Sequence, residues 1–92
     1  MKPEVVLELL ETTADQLGVR VSYEPLQHSV VNGGLCRVKG QYRIIVDKRA
    51  TSEERVVTLA TALATFDTSE LELPNHIREV LRLHTTRKRP AA

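Results

Sequence analysis

Apolar residues recur at helical spacing at the start of the chain, alternate in its middle, and return to helical spacing in its second half. Val6, Leu9, Leu10, Thr13 and Leu17 share one face of a helix predicted over residues 3–17, with the acids mostly elsewhere. Pro3 suits a first turn, Glu4 suits the positive end of the helix dipole, and Gly18 suits the stop. From Val19 to Leu26 the period drops to two. Val19, Val21 and Tyr23 face one way and Arg20, Ser22 and Glu24 the other, a half-buried strand ending near Pro25. Residues 27–34 read as a loop with a Gly33-Gly34 turn. Strands 35–39 and 42–47 follow, joined through Gly40-Gln41 as a hairpin. Cys36 and Val38 oppose Leu35, Arg37 and Lys39 in the first of them. Ile44, Ile45 and Val46 form a continuous run in the second, which predicts a central strand covered on both faces.

A second helix begins after Thr51, where Thr51 and Glu54 have capping-box spacing and Ser52 is the alternative cap. Val56, Val57, Leu59, Ala60, Leu63, Ala64 and Phe66 occupy so much of its circumference that it should be the most buried helix. Residues 67–73 form a polar connector with Leu71 and Leu73 as anchors. Pro74 opens a third helix, with Ile77, Val80, Leu81 and His84 at i, i+3, i+4 and i+7. The fold class is α+β: a helix, a three-stranded antiparallel sheet made of a strand plus a hairpin, and two C-terminal helices packed on the sheet. Residues 1–84 make one domain, and 85–92 a flexible basic tail.

Composition narrows the function classes. A chain of 92 residues buries only roughly two-thirds of its unfolded surface, so its core is thin and a dimer would relieve it. Tyr23, Tyr42 and Phe66 are the only aromatics, which leaves little for aromatic-anchored interfaces or for base stacking. Cys36 stands alone, excluding an internal disulfide and a Cys-rich zinc module. The first segment carries acids through its apolar stretch, unlike a signal peptide or an anchor, and no apolar run reaches membrane-spanning length. A cytoplasmic protein without a membrane partner is expected.

Net charge is only +1, but its distribution is uneven. Glu4, Glu8, Glu11 and Asp15 make the first helix acidic. Arg37, Lys39, Arg43, Lys48 and Arg49 cluster in the middle, and Arg82, Arg87, Lys88 and Arg89 make the end basic.

Residues 34–67 carry a hairpin ending in an Ile-rich strand, a polar turn, Glu54-Arg55 at a helix start, and then Thr58-Leu59-Ala60. This stretch resembles the core of the ImmA/IrrE-type zinc metallopeptidases, in which Thr-Leu-Ala runs into His-Glu-x-x-His. Two His at i and i+4 share one helix face and bind zinc, while the Glu takes a proton from the metal-bound water. Here the ligand positions hold Thr61 and Thr65 and the base position holds Ala62. The resemblance therefore implies a degenerate, zinc-less core without that hydrolysis, and Glu70 and Glu72 have no clear place as a third ligand. The whole chain also resembles a family of short, uncharacterised bacterial proteins with Gly-Gly-x-Cys-Arg, a Lys-Gly hairpin and a Leu-Ala-x-x-Leu-x-x-Phe-Asp helix, met here at 33–37, 39–40 and 59–67. That likeness implies a fold and no activity.

No other constellation replaces the lost one. His76 and His84 would lie about 12 Å apart along a helix, too far to share a metal, and His28 sits in a loop. Cys36 shares a strand face with Val38 and reads as a small core residue rather than a nucleophile, with no His beside it by local spacing. Asp67 reads as a turn residue in contact with an Arg that locks the connector, and Gly33-Gly34 is too short for a phosphate loop. The sequence predicts a non-enzymatic protein-interaction or regulatory module without metal or cofactor, whose partner is another protein or a second copy. The alternative is a nucleic-acid-binding accessory protein. In either case the contacts fall to Arg37, Lys39, Arg43, Lys48, Arg49, Arg87, Lys88 and Arg89, unless these charges serve only solubility.

Overall fold

The first helix, α1 (Pro3–Gln16), buries Val6, Leu10 and Thr13 of the expected stripe together with Ala14, while Leu9 and Leu17 are half-buried. The Thr13 hydroxyl, 1% exposed, donates to the Leu9 carbonyl at 2.9 Å, so the one buried polar side chain among the described residues is satisfied by its own helix. Gly18 ends the helix at φ 74°, donating its N–H to Asp15 O (3.1 Å) while Val19 N–H donates to Ala14 O (2.9 Å). That paired closure turns the chain directly into a strand. The fold is that of a computed structural model, which describes residues 2–25 and 33–85. Leu26, the expected loop over 27–32 with His28, and most of the expected tail, including Arg87, Lys88 and Arg89, lie outside the described residues.

Three strands follow: β1 (Arg20–Glu24), β2 (Gly33–Val38) and β3 (Gln41–Asp47). Their order in the sheet is β1-β3-β2, with β2 antiparallel to β3 and β1 parallel to it. The expected all-antiparallel sheet is therefore corrected to a mixed one. Consecutive strands joined by reversals alternate in direction, so β1 and β3 run the same way. They pair in parallel because β3, with its Ile44-Ile45-Val46 run, takes the centre and leaves β1 its far edge.

The hairpin also differs in detail from expectation. Its turn is Lys39-Gly40, with φ of 52° and 79°, and Val38 pairs with Gln41. Positive φ at both central residues is the twist that a two-residue hairpin needs, so Gln41 belongs to the strand. Gly33 and Gly34 lie inside β2 rather than in a turn, with Gly34 at φ 137°, a value only glycine adopts freely.

Helix α2 (Ser52–Leu63) begins with the expected capping box and α3 (Asn75–Leu83) follows Pro74. Leu59, Ala60, Ala62 and Leu63 from α2 join Val6, Leu10, Ala14, Val19, Ile44, Val46, Ile77 and Leu81 in one buried cluster. Helices α1 and α2 thus cover one face of the sheet. Helix α3 packs on α1 and α2 and not on a strand, so of the two C-terminal helices expected on the sheet only α2 lies there. Expected coverage of both faces is not found among the described residues: Ile44 and Val46 are fully buried, whereas Ile45 is only half-buried. Nor is α2 buried all round, since Val57 is 50% exposed and Thr61 is exposed.

Candidate functional site

The start of α2 is fixed by two sets of bonds. The Thr51 hydroxyl accepts from Glu54 N–H (3.1 Å), and the Glu54 carboxylate accepts from Thr51 N–H (3.0 Å). Arg55 then reaches back, donating from Nε to Ala50 O (3.1 Å) and from Nη2 to Lys48 O (2.8 Å). Its guanidinium also lies 4.9 Å from the ring centroid of Tyr23. Tyr23 in turn donates its hydroxyl to the Glu11 carboxylate. One arginine thus ties the 48–50 turn, α2 and β1 together, and Glu11 adds α1. Burial first, then the bond to Glu11 and its negative charge, holds the Tyr23 phenol well above its ordinary value, with Arg55 opposing. Arg55, part of the resemblance at the helix start, is fully occupied in holding that start.

Past this clamp, Val57, Thr61 and Thr65 fall on one exposed stripe at intervals of four. With Thr58 and Ala62 they line a groove whose other wall is Gly34 and Leu35 of β2. The three positions where the metallopeptidase core would carry ligands and base, Thr61, Thr65 and Ala62, therefore line one groove. No carboxylate, imidazole or thiol is among the described residues that line it. Thr65 donates its hydroxyl to Ala62 O (2.7 Å), and Thr58 donates to Glu54 O (3.1 Å). Among the described residues no group of three or more His, Cys, Asp or Glu is placed to hold a metal ion.

What the groove does offer is backbone. Val38 and Gln41 close a two-residue turn and exchange hydrogen bonds, so pairing with β3 alternates down β2. The peptide groups of Leu35 and Arg37 point instead to the outer edge, where no described strand pairs with them. Leu35 is 36% exposed there.

The basic residues singled out in the sequence are divided between places. Arg37 lies beside Tyr42, 5.4 Å from its ring centroid, and Tyr42 meets Phe66 edge-on at 5.2 Å. Lys39 is at the turn tip, and Arg43 stands on the opposite sheet face, directly across from Arg20. Lys48 and Arg49 follow the other end of β3, roughly 20 Å from the turn for a strand of this length. Arg20 belongs to no basic cluster along the chain; its outward parity is legible in the sequence, but the strand it sits against is not.

Cys36 is half-buried on the outer face, level with Arg43, and so is not the core residue expected. His76 is exposed, whereas His84 is half-buried with Nδ1 2.9 Å from Val80 O. The connector is not locked by an Asp67–Arg contact. Asp67 accepts from Ser69 N–H (3.0 Å), which holds its carboxyl below the usual value, while Arg78 ties the connector through the carbonyls of Thr68 and Leu71. Asp47 likewise accepts from Arg49 N–H (3.0 Å) and shapes the turn after β3.

No family model, curated protein or solved structure matches this chain. Among the described residues no helix is long and apolar enough to cross a membrane.

Proposed function

We propose that this protein is a non-catalytic interaction module that receives an extended peptide segment along the outer edge of β2. The observation that carries the reading is a strand edge with no partner among the described strands set beside the exposed Val57–Thr61 stripe of α2, with Leu35 and Val57 both lying open. An incoming strand would bond to the outward peptide groups of Leu35 and Arg37 and seat alternate side chains against Val57, Thr61 and Thr65. The same proposal includes kinship with the ImmA/IrrE-type core, with Thr61, Ala62 and Thr65 standing where the reactive residues were lost. Thr and Ala there supply neither a good zinc ligand nor a proton acceptor, so binding without turnover is the outcome.

Panning a random peptide library against the full chain tests this. Peptides that bind the wild type and lose at least about tenfold in affinity to Thr61→Arg, which fills the groove with a long cation, support it. Failure to recover any peptide sensitive to Thr61→Arg would refute it.

A further inference from the structure

The outer face of the sheet, on which no described helix packs, carries its charges in a set order. Arg20, Ser22 and Glu24 point outward from β1, and Arg43, Ile45 and Asp47 from β3, because Ile44 and Val46 point inward. In register, Arg20 lies opposite Arg43, Ser22 opposite Ile45, and Glu24 opposite Asp47. Like charges set directly opposite each other are destabilising. This face has two such pairs, cationic at one end and anionic at the other, about 13 Å apart. The described residues contain one salt bridge, Arg82–Glu79 on α3, so neither Arg20 nor Arg43 has a salt-bridge partner among them. The Ser22 hydroxyl donates to Glu24 (3.2 Å) and Arg49 N–H donates to Asp47, which leaves both carboxylates with free lone pairs.

Such a face is its own complement. Consider a two-fold axis between two copies, perpendicular to the strands and level with Ser22 and Ile45. It sets the faces together with β3 strands antiparallel, an isologous contact. Arg43 then lies over the partner's Asp47, Arg20 over the partner's Glu24, and Ile45 meets the partner's Ile45. Packed sheets stand about 10 Å apart, a gap that an arginine and a short acid can span together.

We propose that this outer face is the interface of a homodimer built on those reciprocal Arg43–Asp47 and Arg20–Glu24 pairs around Ile45. It leaves the groove between β2 and α2 open in both copies and does not depend on the function proposed for it. A phosphate backbone would satisfy only the cationic end and meet repulsion at Glu24 and Asp47, so a second copy fits the face better. Three short strands offer less area than the roughly 800 Å² per partner of a standard interface. The dimer should therefore dissociate in the micromolar range and weaken with salt.

Sedimentation equilibrium on the full chain tests this, with circular dichroism to verify folding. The wild type should dimerise at low ionic strength and lose on the order of tenfold in affinity at high salt. Arg20→Glu/Arg43→Glu makes the face wholly acidic and Glu24→Lys/Asp47→Lys makes it wholly basic. Each should be monomeric alone, and an equimolar mixture should recover the dimer. If either pair unfolds, the milder Arg43→Gln should still weaken association about tenfold, while Thr61→Arg should leave it unchanged. A wild type that stays monomeric up to millimolar concentration would overturn the proposal. So would a dimer indifferent to Arg43→Gln, or a monomer that binds a duplex oligonucleotide through Arg43.

Discussion

Ile44 and Ile45 are neighbours with the same side chain, and β3 sends them to opposite environments. Ile44 is completely excluded from solvent, in one cluster with Leu10, Leu59, Leu63 and Ile77. Ile45 stays half-buried between Ser22 and Gly34 on the outer face. An unbroken apolar run marks a strand whose two edges are both hydrogen-bonded, and that is true of β3. It does not follow that both faces are covered. Being central in a sheet and being sandwiched between layers are separate properties, and β3 has only the first among the described residues.

The sharpest way to break this comparison is to truncate each isoleucine in turn. Ile44→Ala should cost about 4 kcal/mol, the transfer of a buried side chain plus the cavity it leaves, a large share of a small domain's stability. Ile45→Ala should cost about 1 kcal/mol or less when urea denaturation is followed in dilute solution. Equal losses would mean that the outer face is sealed after all.

A smaller effect probes how the covered face is fastened to α1. Tyr23→Phe removes the bond to Glu11 and should cost about 1 kcal/mol at neutral pH. The phenol's value is raised in the folded state, so its contribution is complete below pH 10, the ordinary value of tyrosine, and is lost as pH climbs beyond it. Wild-type stability should therefore fall above pH 10 more steeply than that of Tyr23→Phe in parallel denaturation series. Parallel slopes would show that Tyr23 ionises as freely in the fold as in the unfolded chain.

The smallest change lies at the turn common to both faces. Lys39 holds a left-handed conformation that favours asparagine before glycine. Lys39→Asn should stabilise the protein by about 0.5 kcal/mol. It should raise the thermal midpoint while leaving the difference between the losses caused by Ile44→Ala and Ile45→Ala unchanged.

Short-range features were legible in the sequence because their causes are local. Thr51 and Glu54 form the capping box that their spacing announces, and Val6, Leu10 and Thr13 of the α1 stripe are buried as its period requires. Gly18 stops α1 where expected, because the left-handed closure needs it. Where sequence and fold part, the cause is not local. Alternation separates Cys36 from Arg37 but does not say which face the helices choose. Apolar residues surround α2 on several sides, yet Val57 lies open beside the β2 edge, which no described strand covers. Arg20 faces Arg43 through strand order and not through any neighbour in the chain.

The strand order has a consequence for the newborn chain. Synthesis delivers α1 and β1 first, yet β1 has its only described hydrogen-bonding partner in β3, the last strand to be made. The β2–β3 hairpin is a local structure able to close within microseconds, whereas β1 must bridge a long loop to dock. Until Asp47 has left the ribosome, Val19, Val21 and Tyr23 have no sheet to join, and the apolar stripe of α1 waits with them. Order in the sheet, and not order in the chain, thus decides when β1 is secured.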